Sequence, residues 1–227
     1  MKRIITMLFA VIISMTTFAQ KDVTKFLGIP IDGTMSEMKA KLKAKGFKAD
    51  SYLHENQLCG TFNGLESIIT LVSNNNKIWR VVVTDLTPTD ETNIRIRYNK
   101  LLSQFKRNRQ YVNLQWQTNN FIEENENISY NMDINNKRYE AVFYQLPSDT
   151  LAIRNHAQNR LLEKYTEEQI ENPTTDQTFE MGKIVDQACW EILEKRAVWF
   201  MISEIYEKYC INIYYDNGYN QADGEDL

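Results

Sequence analysis

The stretch SIITLVSNNNKIWRVVVT, residues 67–84, decides the fold class of this chain. Two runs rich in β-branched and apolar residues, 67–73 and 78–84, flank three asparagines and a lysine. β-branched residues favour strands, and asparagine favours the tight turns that join antiparallel strands. The stretch therefore predicts a β-hairpin, and residues 47–85 as a whole predict three or four antiparallel strands.

A second hairpin is predicted just before this one, and a helix precedes both. The sequence FNGL at residues 62–65 contains the Asn-Gly pair that favours a type I′ turn. Further upstream, Thr34 and Glu37 have the spacing of a capping box, in front of apolar residues at helical intervals. Because Gly46 then provides a stop, we predict a helix over residues 35–45.

The strongest helical pattern follows Asp90, which can serve as its N-cap. Apolar residues recur there every three or four positions, and basic residues stand between them. The predicted buried face consists of Ile94, Tyr98, Leu101, Leu102 and Phe105. Beyond this helix, alternating apolar residues predict strands over residues 128–134 and 139–143.

Residues 75–83 and 135–143 match in their turn, in the position of an aromatic residue and in their strand pattern. Each follows a helix and an earlier strand in the predicted order of elements. The match suggests two helix-plus-four-strand modules, residues 30–85 and 88–146. Either a true duplication or the ordinary similarity of hairpins explains it.

The last third of the chain is predicted to be mostly helical. A helical segment covers residues 148–196, a closing hairpin covers 198–215, and a polar tail covers 216–227. With 43% hydrophobic residues and only 8 Gly and 4 Pro in 227 residues, the chain is not a disordered or collagen-like protein. We predict a single α+β domain over residues 20–227, in which helices cover antiparallel sheet.

Residues 1–19 have the pattern of a secretory signal peptide. Lys2 and Arg3 precede an apolar run that is shorter than the roughly 20 residues needed to span a bilayer. Thr17 and Ala19 stand three and one positions before the expected cut after Ala19. No cysteine lies near this cut, so we do not expect a lipoprotein. We expect a soluble protein without a transmembrane segment, either periplasmic or secreted.

The three cysteines, Cys59, Cys189 and Cys210, are too few and odd in number for a disulfide framework. Three interpretations remain open. All three are buried thiols, or one is a reactive thiol, or a single bridge forms, for which Cys189 and Cys210 are the best pair.

The chemistry-bearing residues form no catalytic or metal-binding motif. His54 and His156 have no second ligand at the spacing that zinc sites use. Glu123, Glu124 and Glu126 lie close together, and a carboxylate pair for glycoside hydrolysis can in principle come from them. We therefore predict no catalytic residue, no metal ligand and no cofactor.

The net charge of −4 and the expected export argue against a nucleic-acid partner. Basic residues are nonetheless concentrated in the first half of the chain. They form either a solvated surface or a footprint for anionic polymers. The set comprises Lys39, Lys41, Lys43, Lys45, Lys48, Arg95, Arg97, Lys100, Lys106, Arg107 and Arg109.

The surplus of aromatic residues, 12 Tyr and 4 Trp, is the main positive sign of a binding protein. Trp79 and Trp199 fit strand patterns and are expected in the core. Trp116 lies among Gln and Asn residues, so it is predicted to be an exposed binding residue.

Three parts of the chain carry a family resemblance: FLGIPIDGT at 26–34, FYQLP at 143–147 after Asn135, Lys137 and Tyr139, and YYDN at 214–217 before GEDL at 224–227. Together they resemble uncharacterised secreted proteins of Bacteroides and its relatives. The resemblance implies export and an α+β fold, and no activity. Asp149-Thr150-Leu151 looks like the O-glycosylation site of exported proteins of such bacteria, with Thr150 as the acceptor; a helix N-cap is the alternative.

The predicted helix-then-four-strands plan is also similar to that of the β-lactamase inhibitor protein, a secreted binder. We therefore expect a binding or envelope-accessory module whose partner is an envelope protein or a glycan. The alternative is a small carboxylate-based hydrolase or sugar-processing enzyme. A concave pocket with two carboxylates about 5–10 Å apart favours the enzyme, and an aromatic patch favours the binder.

Overall fold

The structure, a computed structural model, describes residues 22–113, 120–149 and 151–222. Its strands are β1 (Lys25–Phe26), β2 (Ile29–Pro30), β3 (Gln57–Phe62), β4 (Leu65–Asn74), β5 (Lys77–Asp85), β6 (Tyr111–Val112), β7 (Glu140–Gln145), β8 (Ala197–Ile205) and β9 (Lys208–Asp216). Its helices are α1 (Met35–Ala44), α2 (Glu91–Arg107), α3 (Ile128–Asp133), α4 (Leu151–Leu162), α5 (Glu167–Glu171) and α6 (Thr175–Leu193), and a 3-10 turn covers Glu194–Arg196.

Seven strands form one antiparallel sheet in the order β3-β4-β5-β9-β8-β7-β6, and β1 and β2 form a separate small hairpin. The strand β9 lies at the centre, where it pairs with β5 on one side and β8 on the other. The predicted α+β fold class is confirmed. No helix in the described part of the chain combines the length and the apolar character needed to cross a membrane.

Both hairpins predicted in the first half are present. The turn at Asn63-Gly64 has φ values of 50° and 80°, and Phe62 pairs with Leu65. The turn at Asn75-Asn76 has φ values of 48° and 60°, and it joins β4 to β5. Gly and Asn tolerate positive φ better than other residues, which is why these sequences close two-residue turns.

Helix α1 begins and ends as its sequence predicts. The Thr34 hydroxyl accepts a hydrogen bond from the Glu37 N–H at 3.3 Å, and the Glu37 carboxylate accepts one from the Thr34 N–H at 2.8 Å. At the other end Gly46 has a φ of 99°, and the N–H of Phe47 reaches back to the Leu42 carbonyl. This is a Schellman arrangement, which satisfies the last carbonyls of the helix.

Helix α2 packs its predicted face against the sheet. The Asp90 carboxylate accepts a hydrogen bond from the Asn93 N–H at 2.9 Å and caps the helix. All five residues of the predicted buried face are at most 6% exposed. Phe105 of this helix stacks on Phe143 and Phe200, with centroids 4.9 and 5.6 Å away. These stacked rings form the part of the hydrophobic core that lies between α2 and strands β7 and β8.

The strand predicted over residues 128–134 is wrong, because this segment contains helix α3. The Asn127 side chain caps the helix by accepting a hydrogen bond from the Tyr130 N–H at 2.8 Å. Ile128 is buried, but Tyr130 and Ile134 are 56% and 63% exposed. The alternating residues are therefore not buried together on one face of a sheet, and the Asn127 cap favours the helix.

The suggestion of two similar modules does not match the structure either. Among the described residues of 88–146, the only strands are β6 and β7, and α3 stands where a strand was expected. The second segment thus lacks the four strands that the comparison of the two hairpins suggested.

The helical segment and the closing hairpin predicted near the end of the chain are present as α4–α6 and β8–β9. The tail, in contrast, begins inside the fold. Asn217 is fully buried and donates a hydrogen bond from its side chain to the Ile31 carbonyl at 2.7 Å. The Asn220 side chain likewise donates to the Ile78 carbonyl at 2.9 Å. These bonds fix the N-terminal part of the tail to β5 and to the segment that follows β2.

All three cysteines are free thiols, so the structure does not contain the Cys189–Cys210 bridge. Cys210 is buried in β9, where the charge of Asp85 acts on it, whereas Cys189 lies on α6 near Asp186. The buried-thiol interpretation describes Cys210, which is 1% exposed, and the other two are partly exposed.

Alkylation tests this assignment. Burial raises the pKa of Cys210 to about 11, so at pH 8 its thiol stays protonated as well as inaccessible. Native protein treated with iodoacetamide at pH 8 is expected to leave Cys210 unmodified, and unfolding in guanidinium is expected to expose three reactive thiols. Intact mass and peptide mapping measure both. A single alkylated cysteine in the unfolded, unreduced protein would show that a disulfide forms after all.

Candidate binding cleft

A cleft opens where five segments meet above Tyr215, a residue of β9 that is 6% exposed. These segments are the β1–β2 turn, the end of β3, the end of α2, β6 and the end of β7. The cleft has two adjoining hollows of about 520 and 480 Å³. Both hollows are lined by Leu27, Phe62, Tyr111 and Tyr215. Their volumes lie within the usual range of small-molecule sites.

One wall of the cleft is a strained turn. Leu27 and Gly28 close the β1–β2 hairpin with φ values of 52° and 79°. A leucine at positive φ costs about 1 kcal/mol relative to its usual conformations, and glycine or asparagine suits the position better. The Leu27 side chain is nevertheless 41% exposed and faces both hollows.

Gln145 connects three of the segments that form the cleft. Its amide oxygen accepts a hydrogen bond from the Lys25 N–H at 2.7 Å. Its amide nitrogen donates to the Lys25 carbonyl at 3.0 Å and to the Tyr111 hydroxyl at 3.2 Å. Because Gln145 is only 7% exposed, these bonds hold β1, β6 and β7 in a fixed relation before any ligand arrives.

Tyr111 and Tyr215 lie at the base of the cleft. Burial raises the pKa of Tyr215 well above its usual value. Burial also raises the pKa of Tyr111, but the hydrogen bond from Gln145 opposes the rise. Because the Gln145 amide nitrogen can only donate, the Tyr111 oxygen is the acceptor of that bond, and its own O–H can donate to a ligand.

The charged residues of the cleft are cationic. Lys25 and Arg109 line the larger hollow, and no Asp or Glu is among the described residues that line either hollow. The Lys25 ammonium contacts the Ser148 hydroxyl and lies 3.5 Å from the Asp22 carboxylate. Arg109 is exposed and has no ion-pair partner among the described residues. The cleft therefore offers positive charge and hydrogen-bond donors to an anion.

Aromatic rings and side-chain amides make up much of the remaining lining. The rings belong to Phe62, Phe105, Tyr111 and Tyr215, and the amides belong to Asn63, Gln104, Asn108, Gln110 and Gln145. Ring faces pack against flat apolar surface, and amides both donate to and accept from hydroxyl groups.

No family model, curated protein or solved structure was found to match the chain.

The two residues that the sequence singled out for binding and modification, Trp116 and Thr150, lie outside the described residues. Next to Thr150, the Asp149 carboxylate accepts a hydrogen bond from the Leu151 N–H at 2.9 Å, which is the capping contact of the alternative interpretation.

The acidic cluster does not form a carboxylate pair in a cleft. Glu126 accepts a hydrogen bond from the Tyr139 hydroxyl at 2.7 Å and pairs with Lys137. Burial raises the pKa of Glu126, but these two hydrogen bonds outweigh it, so the pKa is lowered and the carboxylate is held ionised. Glu123 and Glu124 are exposed. The cluster is thus explained by the anchoring of α3 to β7.

Neither histidine belongs to a cluster of metal ligands in the described part of the chain. His54 is exposed, and His156 lies 2.8 Å from the carboxylate of Glu191 on α6. Nowhere in residues 22–113, 120–149 and 151–222 do three or more His, Cys, Asp or Glu side chains come together as metal ligands.

An aromatic cluster lies on the sheet face opposite Phe200. Trp199 stacks on Tyr214 with ring centroids 3.9 Å apart, and the Arg80 guanidinium lies 4.2 Å from the Trp79 ring. Arg80 is bound in bidentate fashion by Asp216, at 2.6 and 2.7 Å. Its charge and its donors are therefore satisfied within the cluster. The core position expected for Trp79 and Trp199 is wrong, since both are half-buried on this outer face.

Sequence patterns missed the cleft because its residues come from distant parts of the chain. Lys25, Tyr111, Gln145 and Tyr215 belong to four different strands, and none belongs to a recognisable motif. One local sequence feature does point to the cleft. Leu27-Gly28 stands between Lys25-Phe26 and Ile29-Pro30, a pattern that predicts a hairpin turn with an unusual first residue.

Proposed function

We propose that this chain is an exported binding module whose cleft at Tyr111 and Tyr215 holds an acidic glycan. The export rests on the signal-peptide pattern of residues 1–19. The observation that carries the binding is the lining of the cleft, in which the Tyr111 O–H stands with Arg109 and Lys25, and none of the described lining residues is an Asp or Glu.

The chemistry of the lining supports a sugar with a carboxylate. The aromatic rings offer flat surfaces to the C–H faces of a sugar ring, and the amides offer donors and acceptors to its hydroxyls. Arg109 and Lys25 offer charge-assisted hydrogen bonds to a carboxylate. The two adjoining hollows provide room for more than one sugar unit.

The hydrolase alternative lacks support at this site. Retaining and inverting glycosidases use two carboxyl groups on either side of the bond that is cleaved. In the part of the chain that the structure describes, neither hollow is lined by an Asp or Glu, and Glu126 is held by Lys137 and Tyr139 elsewhere. Binding without cleavage is therefore the function that this geometry supports best.

Calorimetric titration with a short oligomer of galacturonic acid tests the proposal, with a maltooligosaccharide of the same length as the neutral control. We expect binding of the acidic oligomer that weakens as salt is raised, and little binding of the neutral one. Mass spectrometry of the same mixture is expected to show an intact oligomer. Equal binding of both sugars would contradict the proposed ligand class, and shorter products would favour the hydrolase.

Two substitutions locate the binding in the cleft. Tyr111→Phe removes the hydroxyl donor and is expected to weaken binding by about 10-fold or more, the usual effect of a lost hydrogen bond to a charged group. Arg109→Gln removes an exposed charge, so weaker binding with an unchanged melting temperature is expected. Tyr130→Phe and Arg154→Gln are matched exposed controls outside the cleft. Similar affinity of Tyr111→Phe, Arg109→Gln and the controls would contradict this location.

A further inference from the structure

The turn between β8 and β9 differs from the other turns of the main sheet. Ile205 pairs with Lys208, so Tyr206 and Glu207 form a two-residue turn, and their φ values are 51° and 60°. The turns β3–β4 and β4–β5 have the same geometry but consist of Asn-Gly and Asn-Asn. Neither Tyr nor Glu is among the residues that favour positive φ.

Nothing within the described part of the protein compensates this strain. Tyr206 is 96% exposed, and Ile205 beside it is 40% exposed. In the described residues, no hydrogen bond, ion pair or ring contact involves the side chain of Tyr206 or Glu207. The fold would be at least as stable with asparagine and glycine at these positions.

We propose that the tip of the β8–β9 hairpin, residues 204–208, docks into a pocket of a partner protein, with Tyr206 as the anchor. Strained residues persist where function needs their side chains, and tyrosine is among the residues that dominate protein interfaces. Because the tip is convex, the partner must be concave there. Glu204, Glu207 and Lys208 are exposed beside Tyr206 and give the tip a net negative charge, so the pocket has apolar walls and a rim that is basic on balance.

The same features favour a folded protein over other partners. The tip has two glutamates against one lysine, so its net charge gives no attraction to an anionic membrane surface, and one tyrosine and one isoleucine offer too little apolar area to anchor the protein in lipid. A glycan would need a cleft or a broad ring surface, and the tip has neither.

The docking tip is independent of the proposed glycan cleft. Tyr206 lies in the turn before β9 and Tyr215 lies near the other end of that strand, and the strand from Lys208 to Tyr215 alone spans about 23 Å at the usual rise. A partner at the tip therefore leaves the cleft open. Failure of either proposal leaves the other intact.

The strain itself is tested with the double substitution Tyr206→Asn and Glu207→Gly. We expect its melting temperature to rise by about 4 °C, because the turn then has residues suited to positive φ. The double substitution Asn63→Tyr and Gly64→Glu in the β3–β4 turn is the reciprocal control, and its melting temperature is expected to fall. An unchanged or lower melting temperature for the variant at 206 and 207 would overturn the argument from strain.

The docking is tested by photo-crosslinking in the intact envelope of the native cells, with benzoylphenylalanine in place of Tyr206. Tyr52 is the matched position, since it is also 96% exposed but lies in a turn without positive φ. We expect one cross-linked protein from position 206 and none in common with position 52. No product at 206, or the same products at both positions, would overturn the proposal.

Purified components complete the test. The cross-linked protein is expected to bind the unlabelled chain directly, and Tyr206→Ala is expected to weaken that binding at least 10-fold. Tyr52→Ala is expected to change it less than about 2-fold, by the same criterion for contacts outside an interface. Equal effects of both substitutions would overturn the assignment of Tyr206 as the anchor.

Discussion

Replacing Arg196 with methionine is expected to lower the melting temperature by about 10 °C. Arg196 is 1% exposed. Its guanidinium donates to the carbonyls of Gln145 and Leu146 at 2.8 and 3.2 Å, and also to the carbonyl of Asp22. It thus holds the end of β7 and the segment before β1 against the 3-10 turn.

The expected loss of stability comes from the three backbone carbonyls that would lose the hydrogen bonds donated by Arg196. Methionine preserves much of the apolar stem of arginine but provides no donor, so three acceptors lose their partner. Each buried acceptor without a partner costs about 1–3 kcal/mol, and partial access of water brings the total to about 3–5 kcal/mol. Burial lowers the pKa of Arg196, and the nearby Asp22 opposes this shift, so the side chain stays charged in the wild-type protein.

Thermal unfolding followed by circular dichroism measures the effect. Arg160→Met is the matched control, because the Arg160 side chain is 41% exposed on α4 and pairs with Glu163. An exposed pair of this kind contributes less than about 1 kcal/mol. A loss of stability in Arg196→Met no larger than that of the control would show that water replaces the arginine at these carbonyls.

Replacing Phe200 with alanine is expected to destabilise the protein by about 3–5 kcal/mol, the usual cost of removing a fully buried aromatic ring. Phe200 is 0% exposed. Its ring stacks with those of Phe105 and Phe143 and meets the Tyr98 ring edge-on at 5.1 Å. The cavity would separate α2 from β7 and β8, the contact on which the core depends.

Denaturant unfolding measures this loss as a lower midpoint. Phe200→Leu is expected to lose less, because leucine fills part of the cavity. Phe179→Ala on α6 is the exposed control, since that ring is 67% exposed, with Lys183 over it. An equal midpoint for Phe200→Ala and Phe179→Ala would contradict the central role of the stacked rings.

Local patterns in the sequence were enough to predict the elements whose conformation is decided locally. Helix α1 follows from the capping box at Thr34 and Glu37, and the first hairpin of the sheet follows from Asn63-Gly64. In each case a side-chain cap, or a residue that tolerates positive φ, fixes the local backbone conformation. Little information from the rest of the chain is needed.

The predictions that were wrong, and the features that were missed, also have physical causes. Residues 128–134 show the period of a strand, yet no sheet edge buries that face and the Asn127 cap competes with it. The order of the strands and the cleft both depend on contacts between distant segments. Tyr111, Gln145 and Tyr215 come together because β6 pairs with β7 and β9 lies at the centre of the sheet. The spacing of apolar residues in one sequence does not show which strands pair.

The central place of β9 also decides when the protein can fold. The strands β3–β5 form one half of the sheet and β6–β8 form the other, and in the described sheet β9 is the strand that pairs with both halves. Val81 pairs with Tyr215, so the closing contact spans most of the chain. Such long-range pairing slows folding and delays it until synthesis has passed residue 216. A nascent chain of this design remains unfolded for most of its synthesis, the condition in which a polypeptide can be threaded through a translocation channel.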